Sequence, residues 1–337
     1  MQDLVSIIIV NWNGKKWFKG CLDSLYNQTY KSFEVILIDN GSVDDSVEFI
    51  ENNYPSAIII RNEKNLGFGV ASNIGGRESN GNILFFLNND TECSPDLLER
   101  LVNYKIKNNI NILDPKILNL DPKILNQEGI DLLENQYLGI DYLGFPGRSR
   151  KLFYLDGCAL MISKQDFLRL GGFDEKYFMY SEDIDLCWRA HLYGMKLRIC
   201  EDATVLHFGG GSSERTNYRE GEKHIVPIRR RYEVEKNNLR NLLKNYRFIN
   251  LLWTIPLFII QDFFESILYL ITGNFKMFRT IWRAIFWNII NIKDTLIERK
   301  IIQKNRVVGD WSILKKMGYW QNKLKAFSIV GLPKFKE

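Results

Sequence analysis

The chain is 337 residues long, 45% hydrophobic and 25% charged, which suits two domains or one large α/β domain with an extension. Its five cysteines are odd in number and never in C-x-x-C spacing, which argues against structural zinc and for a reducing compartment. The net charge of +5 hides an asymmetry: residues 205–337 hold 24 Lys and Arg against 11 Asp and Glu, leaving 21 against 29 for the rest. Basic surface of that kind seeks phosphate, whether of nucleic acid or of a lipid headgroup.

The first hundred residues alternate strand and helix. Val5–Val10 is a continuous β-branched run, read as a strand buried on both faces and too short for a signal peptide. Lys16–Tyr26 has helical spacing, with Trp17, Phe18, Leu22 and Leu25 on the apolar side. Phe33–Ile38 is a second strand ending at Asp39-Asn40-Gly41-Ser42, where Ser42 is expected to cap a helix over Asp44–Asn53. Ala57–Arg61, a helix over Phe68–Glu78, and a strand Ile83–Leu87 ending at Asn88-Asn89-Asp90 follow. Such alternation predicts a mainly parallel, doubly wound sheet, in which ligands bind at the carboxyl ends of the strands. Asp39 and Asp90 both sit at strand ends and should face one crevice.

Residues 114–119 and 121–126 repeat Asp-Pro-Lys-Ile-Leu-Asn, too short for a solenoid unit and read as a local strand-turn-strand without functional weight. A strand over Tyr154–Ser163, a helix over Lys164–Leu170 and a turn at Gly171–Asp174 come next. An acid-rich helix then opens at Ser181 and runs to about Tyr193. Leu197–Ile199 and Thr204–His207 read as short strands, and Gly209-Gly210-Gly211 as a loop suited to a lid. Beyond Arg229-Arg230-Arg231 a basic helix reaches Arg247. The apolar run Ile249–Thr272 is interrupted by Pro256, Asp262 and Glu265, short of the roughly 18 apolar residues of a spanning helix. Met277–Ile292 sets Arg279 and Arg283 among tryptophans and isoleucines, a pattern for a helix lying in a membrane interface, although plain packing on the body explains it too. The tail's aromatics form no stacking motif for nucleic acid.

Three carboxylates, Glu182, Asp183 and Asp185, fall within four positions. They read equally well as a capped helix start, with Asp185 paired to Arg189, or as a proton-accepting site. Asp39 fits turn chemistry, or a carboxylate that accepts an N–H from a ligand base. Asn88-Asn89-Asp90 fits a strand-end turn or a divalent cation site, and His207 could complete the latter.

Val5–Gly14, Asp39–Asp44, Asn65–Gly69 with Asn73, Asn88–Asp90, Gly171–Glu175, Ser181–Leu186 and the His207 segment, in that order and spacing, resemble glycosyltransferase family 2 of GT-A fold. Within it the chain looks most like the rhamnosyltransferase branch acting on cell-surface glycans. The resemblance covers residues 4–215 and implies a GT-A catalytic domain over 1–225. Residues 1–110 would be its nucleotide-sugar half and 111–225 its acceptor half, with a basic helical membrane-associating extension over 226–337.

Residue by residue, the resemblance makes Asp39 the reader of uracil or thymine. Asn11, Asn65, Gly67 and Asn73 would line the donor pocket with Asn88, Asn89 and Asp90. Asn88 stands where the family's Asp-x-Asp motif has its first Asp, so Asp90 is the one carboxylate offered to Mg2+ or Mn2+, with His207 beside it. Asp183 matches the general base, with Glu182 as its neighbour. The implied reaction is inverting hexosyl transfer, of L-rhamnose from a dTDP- or UDP-linked donor, to a glycan or polyprenyl-linked acceptor. Its implied place is cytoplasmic, on the inner face of the cell membrane through residues 229–292. UDP-galactose, N-acetylglucosamine or galactofuranose donors are the alternatives, as is a non-catalytic nucleotide-sugar-binding protein. The processive signature Gln-x-x-Arg-Trp is absent, so one or a few sugars per acceptor is expected.

Overall fold

The computed structural model describes residues 2–119, 137–149, 151–209, 225–318, 322–324 and 334–336. The chain divides into two compact units. One comprises Met1–Asn135, Leu155–Leu186 and Met195–Arg215; the other comprises Gln136–Tyr154, Cys187–Gly194 and Thr216–Glu337.

The first unit is built on β1 (Val5–Asn11), β2 (Phe33–Asp39), β3 (Ile58–Arg61), β4 (Ile83–Asn88), β5 (Thr91–Cys93) and β6 (Ile112–Asn119). After β7 (Tyr137–Ile140) and β8 (Pro146–Ser149), which belong to the second unit, it adds β9 (Ala159–Ser163) and β10 (Leu197–His207). Eight strands form one sheet in the order β3-β2-β1-β4-β9-β6-β10-β5. The half β3-β2-β1-β4 is parallel throughout, as the alternating sequence predicts. The other half is mixed, because β9 runs antiparallel to both β4 and β6, and β5 antiparallel to β10.

Register places the chemistry. β1 pairs Asn11 with Asp39 on β2 and Val10 with Asn88 on β4, so three polar residues end three adjacent buried strands at one edge. The strands are held by their helices. On α1 (Lys15–Tyr26), Phe18, Cys21, Leu22 and Leu25 are buried at three- and four-residue spacing. Burying each large side chain there contributes roughly 1.5–3 kcal/mol. α3 (Phe68–Glu78) sits close enough to β1 that a Cβ on Gly75 would lie 2.5 Å from Ile8 Cγ2. α2 (Ser46–Asn53), α4 (Leu97–Asn108), α5 (Lys164–Leu170) and α6 (Glu182–Leu192) complete the helices that carry site segments.

Some expected boundaries shift. Ser42 does not cap α2: Asp45 stands at that position with φ 56°, while the Ser42 hydroxyl accepts from Asn11 and from the Asn13 N–H. β9 begins at Ala159, because residues 156–158 form a turn. The two short strands expected at 197–207 are one strand with an irregularity between Cys200 and Thr204. The first copy of the tandem repeat lies in β6; the second, and residues 210–211 of the glycine loop, lie outside the described residues.

The second unit contains the β7–β8 hairpin and a parallel pair of β11 (Ile225–Pro227) with β12 (Lys334–Lys336). Its helices are α7 (Ile228–Asn245), α8 (Phe248–Ile271), α9 (Phe275–Ile290), α10 (Ile292–Asn305) and α11 (Asp310–Leu314). α8 runs unbroken through Pro256, Asp262 and Glu265, which sequence had read as interruptions.

Candidate active site

Asn11 is the hub of the strand-end row. Its side-chain N–H groups face Asp39 Oδ1 at 3.0 Å, Ser42 Oγ at 2.9 Å and Ser46 Oγ at 2.8 Å. Its Oδ1 accepts from Gly14 N–H and Asn89 Nδ2, both at 3.1 Å. The amide is saturated by protein, so Asn11 fixes Asp39 and Asn89. Asp39 is buried, and its second oxygen accepts the Ser42 N–H at 3.1 Å. A carboxylate has about four acceptor positions, which leaves Asp39 able to take a ligand N–H.

Asn40 links the next loop. It donates to Gly67 O at 3.2 Å and accepts from Asn62 at 2.8 Å. Asn65 Oδ1 accepts the Gly67 N–H at 2.9 Å. Gly67 has φ 88°, and a Cβ there would lie 2.4 Å from Phe178 O, so only glycine lets the two segments meet. Asn73, expected at the donor, is placed differently. It brackets Phe173, donating to its carbonyl and accepting its N–H, both at 2.9 Å, and it also reaches Glu175 at 3.2 Å. What it holds in this structure is the Gly-Gly-Phe-Asp-Glu turn.

Asn88 ends β4 with its carbonyl accepting the Thr91 hydroxyl at 2.7 Å. The turn delivers Asp90 and then β5, whose Thr91 pairs with His207 on β10. That pairing brings Asp90 Oδ1 to 3.4 Å from His207 Nε2, both side chains being largely buried. Burial disfavours a charged His207 ring, but the Asp90 hydrogen bond and the charges of Asp90 and Asp156 outweigh it and raise its pKa above the ordinary value. One carboxylate oxygen and one imidazole nitrogen converging on the same space suit a hard divalent cation that takes its remaining oxygens from substrate. The acids closest together among the described residues are elsewhere, at Glu235, Asp262 and Glu265 in the second unit. There Lys323 Nζ already lies 2.8 Å from both Glu235 and Asp262, so an ammonium occupies the position a cation would take.

Asp183 opens α6 just after Tyr180 and Ser181, whose φ angles are 69° and 64°. Non-glycine residues in that region cost of order 1–3 kcal/mol each and cluster at functional sites. Ser181 therefore lacks the extended conformation usual for a capping serine, and its carbonyl accepts the Asp185 N–H at 3.0 Å. Asp183 accepts from Ile184 N–H at 2.7 Å and Gly157 N–H at 3.4 Å. Burial first, then the charge of Asp156, push its pKa up to about 7, against the pull of those N–H groups. A general base works best with a pKa near the operating pH. Glu182 beside it is buried, as are Asp185 and Arg189.

Two further acids escaped the sequence reading. Asp156 accepts the Cys158 N–H at 3.1 Å, and its own N–H donates to Asp114 Oδ2 at 2.7 Å. Asp114 is 2% exposed with no partner on Oδ1. Burial and the charges of Asp156 and Asp183 push its pKa well above the ordinary carboxylate value and favour its protonated form. The one available signal was an acid directly after the two apolar residues that open β6.

The chain is similar to known glycosyltransferases. Residues 6–170 match the glycosyl transferase family 2 profile, and residues 135–208 match one described as the N-terminal domain of galactosyltransferase. A low-salt glycan biosynthesis hexosyltransferase of Haloferax volcanii is 28% identical over 221 residues, which are 61% of this chain and 68% of that protein. An uncharacterised glycosyltransferase of Rickettsia typhi is 32% identical over 197 residues, 55% of this chain and 58% of its own length. Among solved structures, GalNAc-T7 with UDP, GalNAc and Mn2+ superposes with TM-score 0.56 at 18% identity, covering 72% of this chain and 48% of that one. Staphylococcus aureus TarS 1–349 with UDP-GlcNAc gives TM-score 0.52 at 17% identity, covering 72% and 67%. The structural likeness shows the GT-A fold.

Proposed function

Because the chain belongs to glycosyltransferase family 2, enzymes that act on nucleotide sugars, we propose that it transfers a hexose with inversion from a dTDP- or UDP-linked donor to a hydroxyl of a glycan or polyprenyl-linked acceptor. In this reading the sugar is L-rhamnose and the product a cell-surface polysaccharide, made at the inner face of the cytoplasmic membrane. The observation that carries the chemistry is Asp183, a carboxylate held on a strained turn with its pKa near neutrality.

Asp183 takes the acceptor hydroxyl proton as that oxygen bonds to the anomeric carbon. The bond from that carbon to the diphosphate breaks, and the nucleoside diphosphate leaves with the electron pair. Base catalysis of this kind contributes about 10²–10⁴-fold. Asp39, oriented by Asn11, receives the N–H of the pyrimidine. Asp90 and His207 would hold Mg2+ or Mn2+, which when bound neutralises charge on the departing diphosphate. The Mn2+ and UDP of the GalNAc-T7 structure support that assignment.

A second reading has UDP-N-acetylglucosamine as donor, favoured by the UDP-GlcNAc complex of TarS. Thermal shift of the full chain against dTDP-, UDP- and GDP-sugars, with Mn2+ or EDTA, separates the two. A ligand at about 100 times its Kd adds about 2.7 kcal/mol of stability. Stabilisation by dTDP-rhamnose that EDTA abolishes is the expected result. A shift with UDP-GlcNAc alone selects the second reading, and no shift with any nucleotide sugar overturns both.

A further inference from the structure

The second unit is inside out by the standards of a water-soluble protein. Its most polar helix, α7, is the one it buries: Glu233, Glu235, Lys236, Asn237, Asn238, Arg240, Asn241, Lys244 and Asn245 are all inside. α7 packs against α8, α9 and α10. α8 turns its polar residues inward too, burying Thr254, Asp262, Glu265 and Ser266, with Lys323 and Arg231 neutralising the acids. Its opposite stripe, Ile249, Leu252, Leu257, Ile260, Phe264 and Ile271, is exposed at helical spacing along all 24 residues, Phe264 by 67% and Ile271 by 77%. α9 continues the pattern with Phe275, Trp282, Phe286, Ile289 and Ile290 exposed. In water such a distribution reverses the hydrophobic effect, and exposed apolar area of this extent marks an interaction site.

We propose that α8 and α9 form a lipid-facing surface that lies in the headgroup–acyl boundary of an anionic bilayer, without crossing it. The proposal deepens, and rests on, the placement of the enzyme at a membrane face. α8 is the one helix among the described residues long and apolar enough to span. Two features set it flat instead. Its inner face is tied to charged partners within the unit near its middle, through Arg231–Glu265 and Lys323–Asp262, and near its start through Asn250–Asp310. Its neighbour α9, with 16 residues, is about 24 Å long, short of a hydrocarbon core of about 30 Å. Arg279 and Arg283 are exposed on α9 among its apolar residues, where their stems can lie along the acyl boundary and their guanidinium groups reach phosphate. The excess of 24 basic over 11 acidic residues after position 204 gives the matching charge.

The full chain is sedimented with vesicles of phosphatidylcholine alone or with phosphatidylglycerol. Binding at least tenfold stronger to the anionic vesicles is expected, and a Leu257→Glu/Ile260→Glu/Phe264→Glu variant should lose it while keeping the wild-type UDP thermal shift and donor turnover. Wild-type failure to bind anionic vesicles, or full binding by a folded triple variant, overturns the proposal. So does a lipid-free dimer that the same triple variant dissolves, since a second copy would then be the occupant. Asn274→Cys, in the exposed α8–α9 turn, tests depth against five native cysteines that are all buried. Labelling by an impermeant maleimide added outside the vesicles is expected; protection there, with labelling after lysis, means that α8 spans. Donor turnover is measured in every variant without vesicles, so its absence would count against the transferase reading and leave the lipid result standing.

Discussion

The chain contains two clusters of acids, and they differ in what surrounds them. In the second unit, Glu235, Asp262 and Glu265 surround Lys323 and Arg231, so two protein cations meet three carboxylates. In the first unit, the charge of Asp156 raises the pKa of both Asp114 and Asp183, and among the described residues none of the three is paired with a lysine or arginine. Acids that carry their own cations read as structural: the cation position is filled before any ligand arrives. Acids that lack one are left to share protons or to meet a substrate. Proximity alone would have chosen the other set, since the three acids gathered within 4.8 Å of one another are those already holding Lys323.

The sharpest way to break this contrast is at the two centres. Asp183→Asn cannot take a proton, and its single oxygen keeps an acceptor for one of the two N–H groups, Ile184 or Gly157, which Asp183 meets with different oxygens. It should lower kcat by about 10²–10⁴-fold while donor KM stays within about twofold. Steady-state kinetics with a calorimetric donor Kd measures both, and an unchanged kcat would remove Asp183 as base. Lys323→Met should do the reverse. It takes the cation from Asp262 and leaves Glu235 and Glu265 to Arg231 alone, a loss of about 3–5 kcal/mol. Scanning calorimetry should show the second unit's transition falling by roughly 6–15 °C, with kcat per folded molecule preserved. A Tm within 2 °C of wild type would mean that the acids do not depend on Lys323.

How much of this was legible follows from what each residue depends on. Asp39, Asp90 and Asp183 stand at the ends or starts of regular elements, and the period of those elements is written locally in the sequence. The antiparallel β9 was not legible, because nothing in Ala159–Ser163 records direction, and pairing with β4 and β6 joins distant segments. The hold of Asn73 on the 171–175 turn was not legible for the same reason: its partner Phe173 is 100 residues away. Asp114 looked like half of a repeat, and only the packing of β6 beside the 156–158 turn gives it an environment. The inverted polarity of α7 and α8 was hidden too, since periodicity gives the faces of a helix and not which face is inside.

Smaller effects test whether the first unit's acids act as one set. Asp156→Asn retains the acceptor for Cys158 N–H and removes a negative charge near Asp183. The base must be ionised, so wild-type kcat falls as pH drops through about 7. Without the Asp156 charge the Asp183 pKa drops, and that acid limb should move to lower pH. The weaker base should cost less than about tenfold in plateau kcat. An acid limb that stays in place would show that burial alone sets the base. Asp114 completes the comparison with the least expected change. Burial and neighbouring charge favour its neutral form, so Asp114→Asn mimics that form, keeps an oxygen for the Asp156 N–H at 2.7 Å, and should leave the pH profile where it is. Asp114→Ala removes that oxygen and strands a buried N–H, a loss of about 1–3 kcal/mol. If Asp114→Asn shifts the acid limb as far as Asp156→Asn does, Asp114 is ionised in the native enzyme, and the proton shared among these acids sits elsewhere.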